Sequence, residues 1–163
     1  MSQDQAHGLL DSTGNPIARM PNVVKPGTNG IVRNEAGEIL LQRRADNGLW
    51  GLPGGVQDVG ESARDGAIRE VFEETGLTVS VTRLIGVYSD PHQYAIDAYP
   101  GGHTVHYVTA VFECERIAGE LTLSGESTDL GYFPPDALPD VTPPGVRLRV
   151  RDALAGRAAA FIR

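Results

Sequence analysis

A chain of 163 residues, 40% apolar and 21% charged, is long enough for one well-filled core, and none of its apolar runs is long enough to cross a membrane. Its net charge of −7 argues against DNA duplex or another long nucleic-acid backbone as partner unless a local basic patch offsets it. One cysteine, Cys114, excludes an internal disulfide, and the N-terminus lacks a basic region followed by an apolar block, so the expected location is the cytoplasm.

Residues 1–26 are polar with scattered Gly and Pro, and read as an arm or a short strand pair. "GIVRNEAGEILLQRR" predicts a hairpin, with strands at Gly30–Arg33 and Glu38–Arg44 around a turn at Asn34–Gly37. "ADNGLWGLPGG" is a loop. Ser62 to Thr75 is a helix, stopped by Gly76, which can take the left-handed conformation. "LTVSVTRLIGVYSD" is β-branched and strand-like, "PHQYAIDAYPGG" a long polar and aromatic loop, and "HTVHYVTAVFECERI" a long strand. "GELTL" and "DLGYF" predict shorter strands. A closing helix follows, with Thr142 as its cap, the prolines in its first turn, and Val146, Val150, Leu154 and Phe161 as its buried stripe. Without regular βαβ alternation, the order predicts an α+β fold: a mixed sheet sandwiched between helices.

Between Gly54 and Leu77 stand six carboxylates and two arginines. On a helical wheel Ala63, Ala67 and Val71 lie on one side, widened by Ile68 and Phe72. Glu70, Glu73 and Glu74, spaced i, i+3 and i+4, share another side. Like charges at that spacing cost roughly 0.2–0.5 kcal/mol per pair. Either the face is simply solvated or a cation sits among the acids; hard oxygen ligands suit Mg²⁺ or Mn²⁺, and a bound ion lets a negative protein hold a phosphate. Arg69 can pair with Glu73 or fold back toward Glu61. Gly54 and Gly55 permit close backbone approach. Gly66, which costs about 1 kcal/mol in mid-helix, points to close packing.

Gly55, Glu61, Arg69, Glu70, Val71, Glu73, Glu74, Gly76 and Leu77 fill every fixed position of a pattern that resembles the signature of the Nudix hydrolases. The flanking "LWGLPGG" and the strand order resemble that family too, over Gly27 to Asp140. The resemblance implies a Nudix-type α/β/α sandwich, with residues 1–26 as the arm and 27–163 as the hydrolase domain. It implies a pyrophosphohydrolase acting on a nucleoside diphosphate linked to another moiety, dependent on Mg²⁺ or Mn²⁺, with two or more ions when substrate is bound. Glu70 and Glu74 would be the chief metal carboxylates. Glu73 would join them or relay through water, and the Gly55 carbonyl would complete the set. Arg69 and Glu61 would hold the loop against the helix. A further acid from a distant loop is expected at Glu126, with Asp129 as the fallback. The base that takes the proton of the attacking water is then Glu73 or Glu126.

Pro91 and Tyr94 lie near spacings associated with ADP-ribose and dinucleoside polyphosphate hydrolases, and these two substrate types lead. The alternatives are an oxidised nucleoside triphosphate pyrophosphatase, an RNA 5′ pyrophosphohydrolase, or a nucleotide-sensing module without catalysis; the last would usually lack one of the helix carboxylates, and none is missing. For substrate binding, Tyr94 and Tyr99 are the best placed of the aromatic residues because their loop is polar, and Arg43 or Arg44 can reach a phosphate from a strand end. Arg147, Arg149, Arg151 and Arg157 are expected to keep the surface soluble. His103 and His106, three apart on a strand, face opposite ways and make a poor zinc pair. A homodimer is compatible with an N-terminal arm that has little to do in a monomer.

Overall fold

The structure, a computed structural model, describes residues 8–163. Two sheets lie between two helices. The larger sheet is built on β5 (Leu77–Tyr88) and β7 (His103–Gly119), two long antiparallel strands rich in β-branched residues. On the other edge of β7 lies β1 (Val24–Val32), parallel to it, and β1 is followed outward by the short β4 (Gly54–Val56). The smaller sheet has the order β3 (Trp50–Gly51), β2 (Ile39–Arg44), β8 (Ser127–Phe133).

Alternation along the strands assigns the two faces. Ile31, Ile39 and Leu41 enter a core with Trp50, Ile85, Tyr88 and Val111, closed by Val146, Val150 and Ala153 of α2 (Pro144–Leu154). Their neighbours Val32 and Leu40 enter a second core with Leu77, Val79, Cys114 and Val71 of α1 (Ala63–Thr75). Four successive residues of β2, Ile39 to Gln42, are therefore buried, because both faces of the strand are covered.

The predicted hairpin is not one. The turn forms, with Asn34 N–H donating to the Glu38 carbonyl, but the flanking strands touch only at the Arg33–Ile39 bridge and then join different sheets. A turn motif is local; the partner of each strand is chosen by which core its side chains can fill. The predicted 91–102 loop contains a strand, β6 (Ile96–Tyr99), antiparallel to the start of β7. "GELTL" is not a strand beyond Gly119, where β7 ends at a positive φ of 87°. Thr142 is not the α2 cap: Pro143 takes that position without a side-chain bond, and the Thr142 hydroxyl is buried with no hydrogen-bond partner among the described residues. Phe161 is not helical either. α2 ends at Leu154, which is itself exposed, and Phe161–Ile162 return as β9, parallel to β5. Gly86 permits that approach, since a Cβ there would stand 2.7 Å from the Phe161 carbonyl oxygen. In α1, Phe72 is exposed rather than part of the inward face.

The described part of the arm is employed within the chain. Leu9 and Ile17 pack on Ile96 of β6, Ser12 N–H donates to the Ile96 carbonyl, and Gly145 N–H donates to the Ser12 carbonyl. The premise offered for a homodimer, an idle arm, therefore lapses.

An ion pair on a buried carboxylate closes the other end. Asp152 accepts two bonds from the Arg163 guanidinium at 2.9 Å and one from the Tyr88 hydroxyl at 3.1 Å. In Asp152→Ala the Arg163 guanidinium, 28% exposed, can turn to water, but the buried Tyr88 hydroxyl loses its acceptor, so the variant should cost about 2 kcal/mol in urea unfolding. A loss under about 1 kcal/mol would show that β9 is held by its backbone bonds alone.

Candidate active site

The site is assembled where β4 crosses the start of α1. Ser62 caps the helix by accepting the Asp65 N–H, and Gly76 ends it at a φ of 75°. Both devices were visible in the sequence, and they fix which way each glutamate points. Arg69 sits at the centre. It donates to both Glu61 oxygens at 2.7 and 3.1 Å, to Glu70 at 2.8 Å, to Glu73 at 3.0 Å and to the Val56 carbonyl at 3.2 Å. Both partners proposed for Arg69, Glu61 and Glu73, are thus held at once. The guanidinium, helped by the Asp58 N–H, pulls the Glu61 carboxyl down to about 2, and the surrounding acids raise Arg69 in turn.

The three helix carboxylates are not equivalent. Glu74 does not share a face with Glu73: it turns inward beside Val71 and is only 4% exposed. Gln42 Nε2 and the Gly54 N–H, the latter at 2.7 Å, donate to one of its oxygens. Burial nevertheless dominates and pushes the Glu74 carboxyl up to about 7. Glu70 is also raised by burial, with the Glu73 and Glu126 charges adding to the effect and Arg69 opposing it. Glu73 is more than half exposed.

The glycines explain how acids and backbone come so close. A Cβ on Gly55 would stand 2.6 Å from Glu70 Oε1, so the Glu70 carboxyl rests against the β4 backbone. Gly66 is the close contact that its mid-helix position suggested, since a Cβ there would meet Glu61 Oε1 at 2.7 Å and Thr28 Cγ2 at 3.3 Å. Thr28 Oγ1 donates to the Ala63 carbonyl and ties β1 to the first turn of α1.

Glu126 begins the approach to β8, and its carbonyl accepts the Ala45 N–H at 2.8 Å. No arginine or lysine pairs with its carboxylate among the described residues. The next residue, Ser127, donates to Gln42 Oε1, and Gln42 donates to Glu74, so a buried chain of hydrogen bonds joins the Glu126 segment to α1. Asp129, the fallback acid, pairs in register with Arg43 of β2. Gln42 and Ser127 were not singled out in the sequence; the signal was a polar residue closing the apolar run "ILLQ".

Of the substrate-binding candidates, Arg44 is bidentate to Asp46 at 2.6 and 2.9 Å and lies within electrostatic reach of Glu74 and Tyr99. Tyr99, on β6, shares a 2.8 Å hydroxyl contact with Tyr107. Arg43 is exposed and donates to the Gly48 carbonyl. Tyr94 lies apart from the acids. At a φ of 65° it packs its Cβ against the start of α2, where a Cβ on Gly145 would meet it at 3.2 Å.

The donors that meet at α1 and β4 are all hard oxygens, which fits Mg²⁺ or Mn²⁺ better than a softer ion. Among the described residues no three His, Cys, Asp or Glu side chains gather around one point. Arg69 draws Glu70 and Glu73 to itself, while Gln42 and Gly54 hold Glu74. Glu70, Glu74 and the Gly55 carbonyl could serve as oxygen ligands to a cation, and Glu73 is more than half exposed beside them.

Residues 24–153 match the NUDIX domain. The chain belongs to the Nudix family. It is 37% identical over 139 residues to a MutT-like protein of Streptomyces ambofaciens, covering 85% of this chain and 82% of that one. It is 36% identical over 114 residues to an ADP-ribose pyrophosphatase of Methanocaldococcus jannaschii, covering 68% and 62%. The crystal structure of a MutT protein from Methanosarcina mazei Go1 superposes with a TM-score of 0.68 at 25% identity, covering 85% of this chain and 99% of that one. As a Nudix hydrolase the chain acts on phosphoanhydride bonds, and the mixed sheets between two helices are the expected α+β sandwich. Nudix hydrolases generally need divalent metal ions.

Proposed function

We propose that this Nudix enzyme uses Mg²⁺ or Mn²⁺ to hydrolyse a nucleoside diphosphate linked to another moiety, with Glu70, Glu74 and the Gly55 carbonyl holding the cation. The observation that carries this is the pair of inward-turned carboxylates, Glu70 and Glu74, packed against a glycine backbone that leaves room for nothing larger. When bound, a divalent cation neutralises the phosphate oxygens and eases attack by water. The chain's own part is to place the acids and to remove a proton. Arg69 and Glu61 lock β4 against α1. The Gln42–Ser127 chain sets Glu74 relative to Glu126. Arg44, a strand-end cation whose charge is felt by Glu74, would be the group to meet a phosphate of the substrate, with Tyr99 a further candidate contact.

Glu126 is the better candidate for the base, because its carboxylate is free of Arg69 whereas Glu73 is tied to it. Glu126→Gln should lower kcat at saturating Mg²⁺ at least about tenfold, equivalent to about 1.4 kcal/mol of barrier. Glu73→Gln should lose less. If neither variant loses tenfold, the base lies elsewhere.

The substrate type rests on less. Tyr94, the residue at a spacing associated with dinucleoside polyphosphates, is packed on α2, so that argument weakens. ADP-ribose keeps its place through the relative named for it, and nucleoside triphosphates and RNA 5′ ends remain the alternatives. A panel of ADP-ribose, dinucleoside polyphosphates, GDP-linked sugars, nucleoside triphosphates and 5′-triphosphate RNA, assayed with Mg²⁺ and Mn²⁺, tests the reading. Phosphate, pyrophosphate and nucleoside monophosphate are measured separately, since their pattern identifies the phosphorus attacked. Release of none of them from any substrate would leave the nucleotide-sensing module as the better account.

A further inference from the structure

Arg149 departs from the expectation that the arginines of the last helix serve solubility. Its guanidinium donates to Asn29 Oδ1 at 2.9 Å and stands 5.5 Å from the centre of the Tyr88 ring. Asn29, on β1, is the cross-strand partner of Gly54, the first residue of β4. An arginine of α2 thus reaches, through one side chain, the strand whose backbone holds Glu74.

The Asn29 amide has two unlike ends, and Arg149 decides which way it faces. A guanidinium has donors only, so it selects the carbonyl oxygen, Oδ1. Nδ2 is thereby turned to the other side. There it faces the Pro53 carbonyl at 3.5 Å and rests on Gly54 so closely that a Cβ on that glycine would overlap it. The same carbonyl accepts the Gly30 N–H at 3.0 Å. The Nδ2 contact is long, so its importance lies in its sign. Without Arg149 the amide is free to turn over, and Oδ1 would then face the Pro53 oxygen, acceptor to acceptor.

The Pro53 carbonyl and the Gly54 N–H belong to one trans peptide group, so they point in opposite directions. Anchoring the oxygen on β1 therefore aims the N–H at Glu74, to which it donates at 2.7 Å. A peptide next to a glycine turns over readily, because glycine tolerates dihedrals on either side. A turned peptide would bring a carbonyl oxygen against the Glu74 carboxylate, where a donor now stands. Resting on the reading of Glu74 as a metal carboxylate, we propose that Arg149 is a positioning residue, which acts through Asn29 to hold the Pro53–Gly54 peptide with its N–H toward Glu74.

Backbone amide exchange, followed by NMR on the protein free of metal and nucleotide, tests this. Arg149→Met and Asn29→Ala should each speed exchange at the Gly54 N–H at least about fivefold relative to the amides of β5 and β7, a comparison that removes any loss of global stability. The double variant should exchange within about twofold of Asn29→Ala alone, since one residue acts through the other. Mn²⁺ titrated calorimetrically should bind Arg149→Met at least about fivefold more weakly than the wild type. In turnover at saturating Mn²⁺, the KM for nucleotide should stay within about twofold of the wild-type value. Unchanged Gly54 exchange or unchanged Mn²⁺ affinity in Arg149→Met, or effects of the two substitutions that multiply, would overturn the proposal. A raised KM would overturn it too, by marking Arg149 as a direct substrate contact. Should Arg149→Met fail to fold, the wild type decides: the Asn29 Nδ2 protons should show NOEs to the Gly54 α protons, and their absence would mean that the amide is turned the other way. Exchange at Gly54 depends on neither metal nor turnover. A wild type that binds no Mn²⁺ or hydrolyses nothing therefore counts against the metal or hydrolase reading alone.

Discussion

Glu74→Gln is expected to lower kcat/KM at least about a hundredfold at saturating Mg²⁺, and at the same time to make the metal-free protein more stable above pH 7. Both effects come from one carboxyl that is 4% exposed and raised by burial to about 7 from an ordinary 4.5. A folded-state pKa above the unfolded one means that the native protein binds more protons between those values. Stability must then fall as pH rises from about 4.5 to about 7. The full loss is roughly 3 kcal/mol for this group. Glu70, also raised by burial, adds to the fall in the same direction. Urea unfolding at pH 5 and pH 8 in the presence of a chelator would measure it, and the glutamine variant should flatten most of the slope. Adding Mg²⁺ should restore stability at pH 8 and do little at pH 5, because a cation needs the ionised acid. A wild type with equal stability at both pH values, together with a Glu74→Gln enzyme of normal activity, would remove Glu74 from the metal site.

Gly54→Ala is expected to be the most damaging single methyl in the chain. Its φ of 154° is rarely open to a residue with a side chain, and the added Cβ would overlap the Thr28 carbonyl oxygen and stand 2.8 Å from the Asn29 Cα. Both obstacles are backbone, so no rotamer change relieves them. Strain and overpacking of this kind each cost about 1–3 kcal/mol, and here they act together. The only escape is for β4 to lift from β1. That would withdraw the Gly54 N–H from Glu74 and the Gly55 backbone from Glu70. A fall in Tm of about 10 °C or more and a loss of Mg²⁺-dependent activity should therefore appear together. Gly66→Ala offers the contrast. Its added methyl meets the end of the Glu61 side chain, which can yield, and helix propensity improves. If Gly54→Ala were as mild as Gly66→Ala, the tight β1–β4 contact would not be what sets the acids.

The acidic helix was legible because its information is local. Ser62, Gly76 and the spacing of Arg69, Glu70, Glu73 and Glu74 lie within a few turns of one another, and covalent geometry alone decides which of them can meet. The signature added Gly55 and Glu61 at fixed distances along the chain. The same locality misled at the Asn34–Gly37 turn, where a sound turn was read as a hairpin, and at Thr142, where two prolines decided where the helix begins.

What the sequence by itself determined was the composition of the site: hard acids, two glycines and one arginine, bound to a helix whose ends are marked. What only the tertiary structure decided was their inequality. Glu74 turns into the core because Gln42, Ser127 and Gly54 wait there from three other strands, while Glu73 stays in water. Arg149 looks like any surface arginine in "RLRVRD" until Asn29 of β1 and Tyr88 of β5 meet its guanidinium. Burial and long-range pairing belong to the arrangement of several segments in space, and both act on charge through solvent exclusion, which no single stretch of chain encodes.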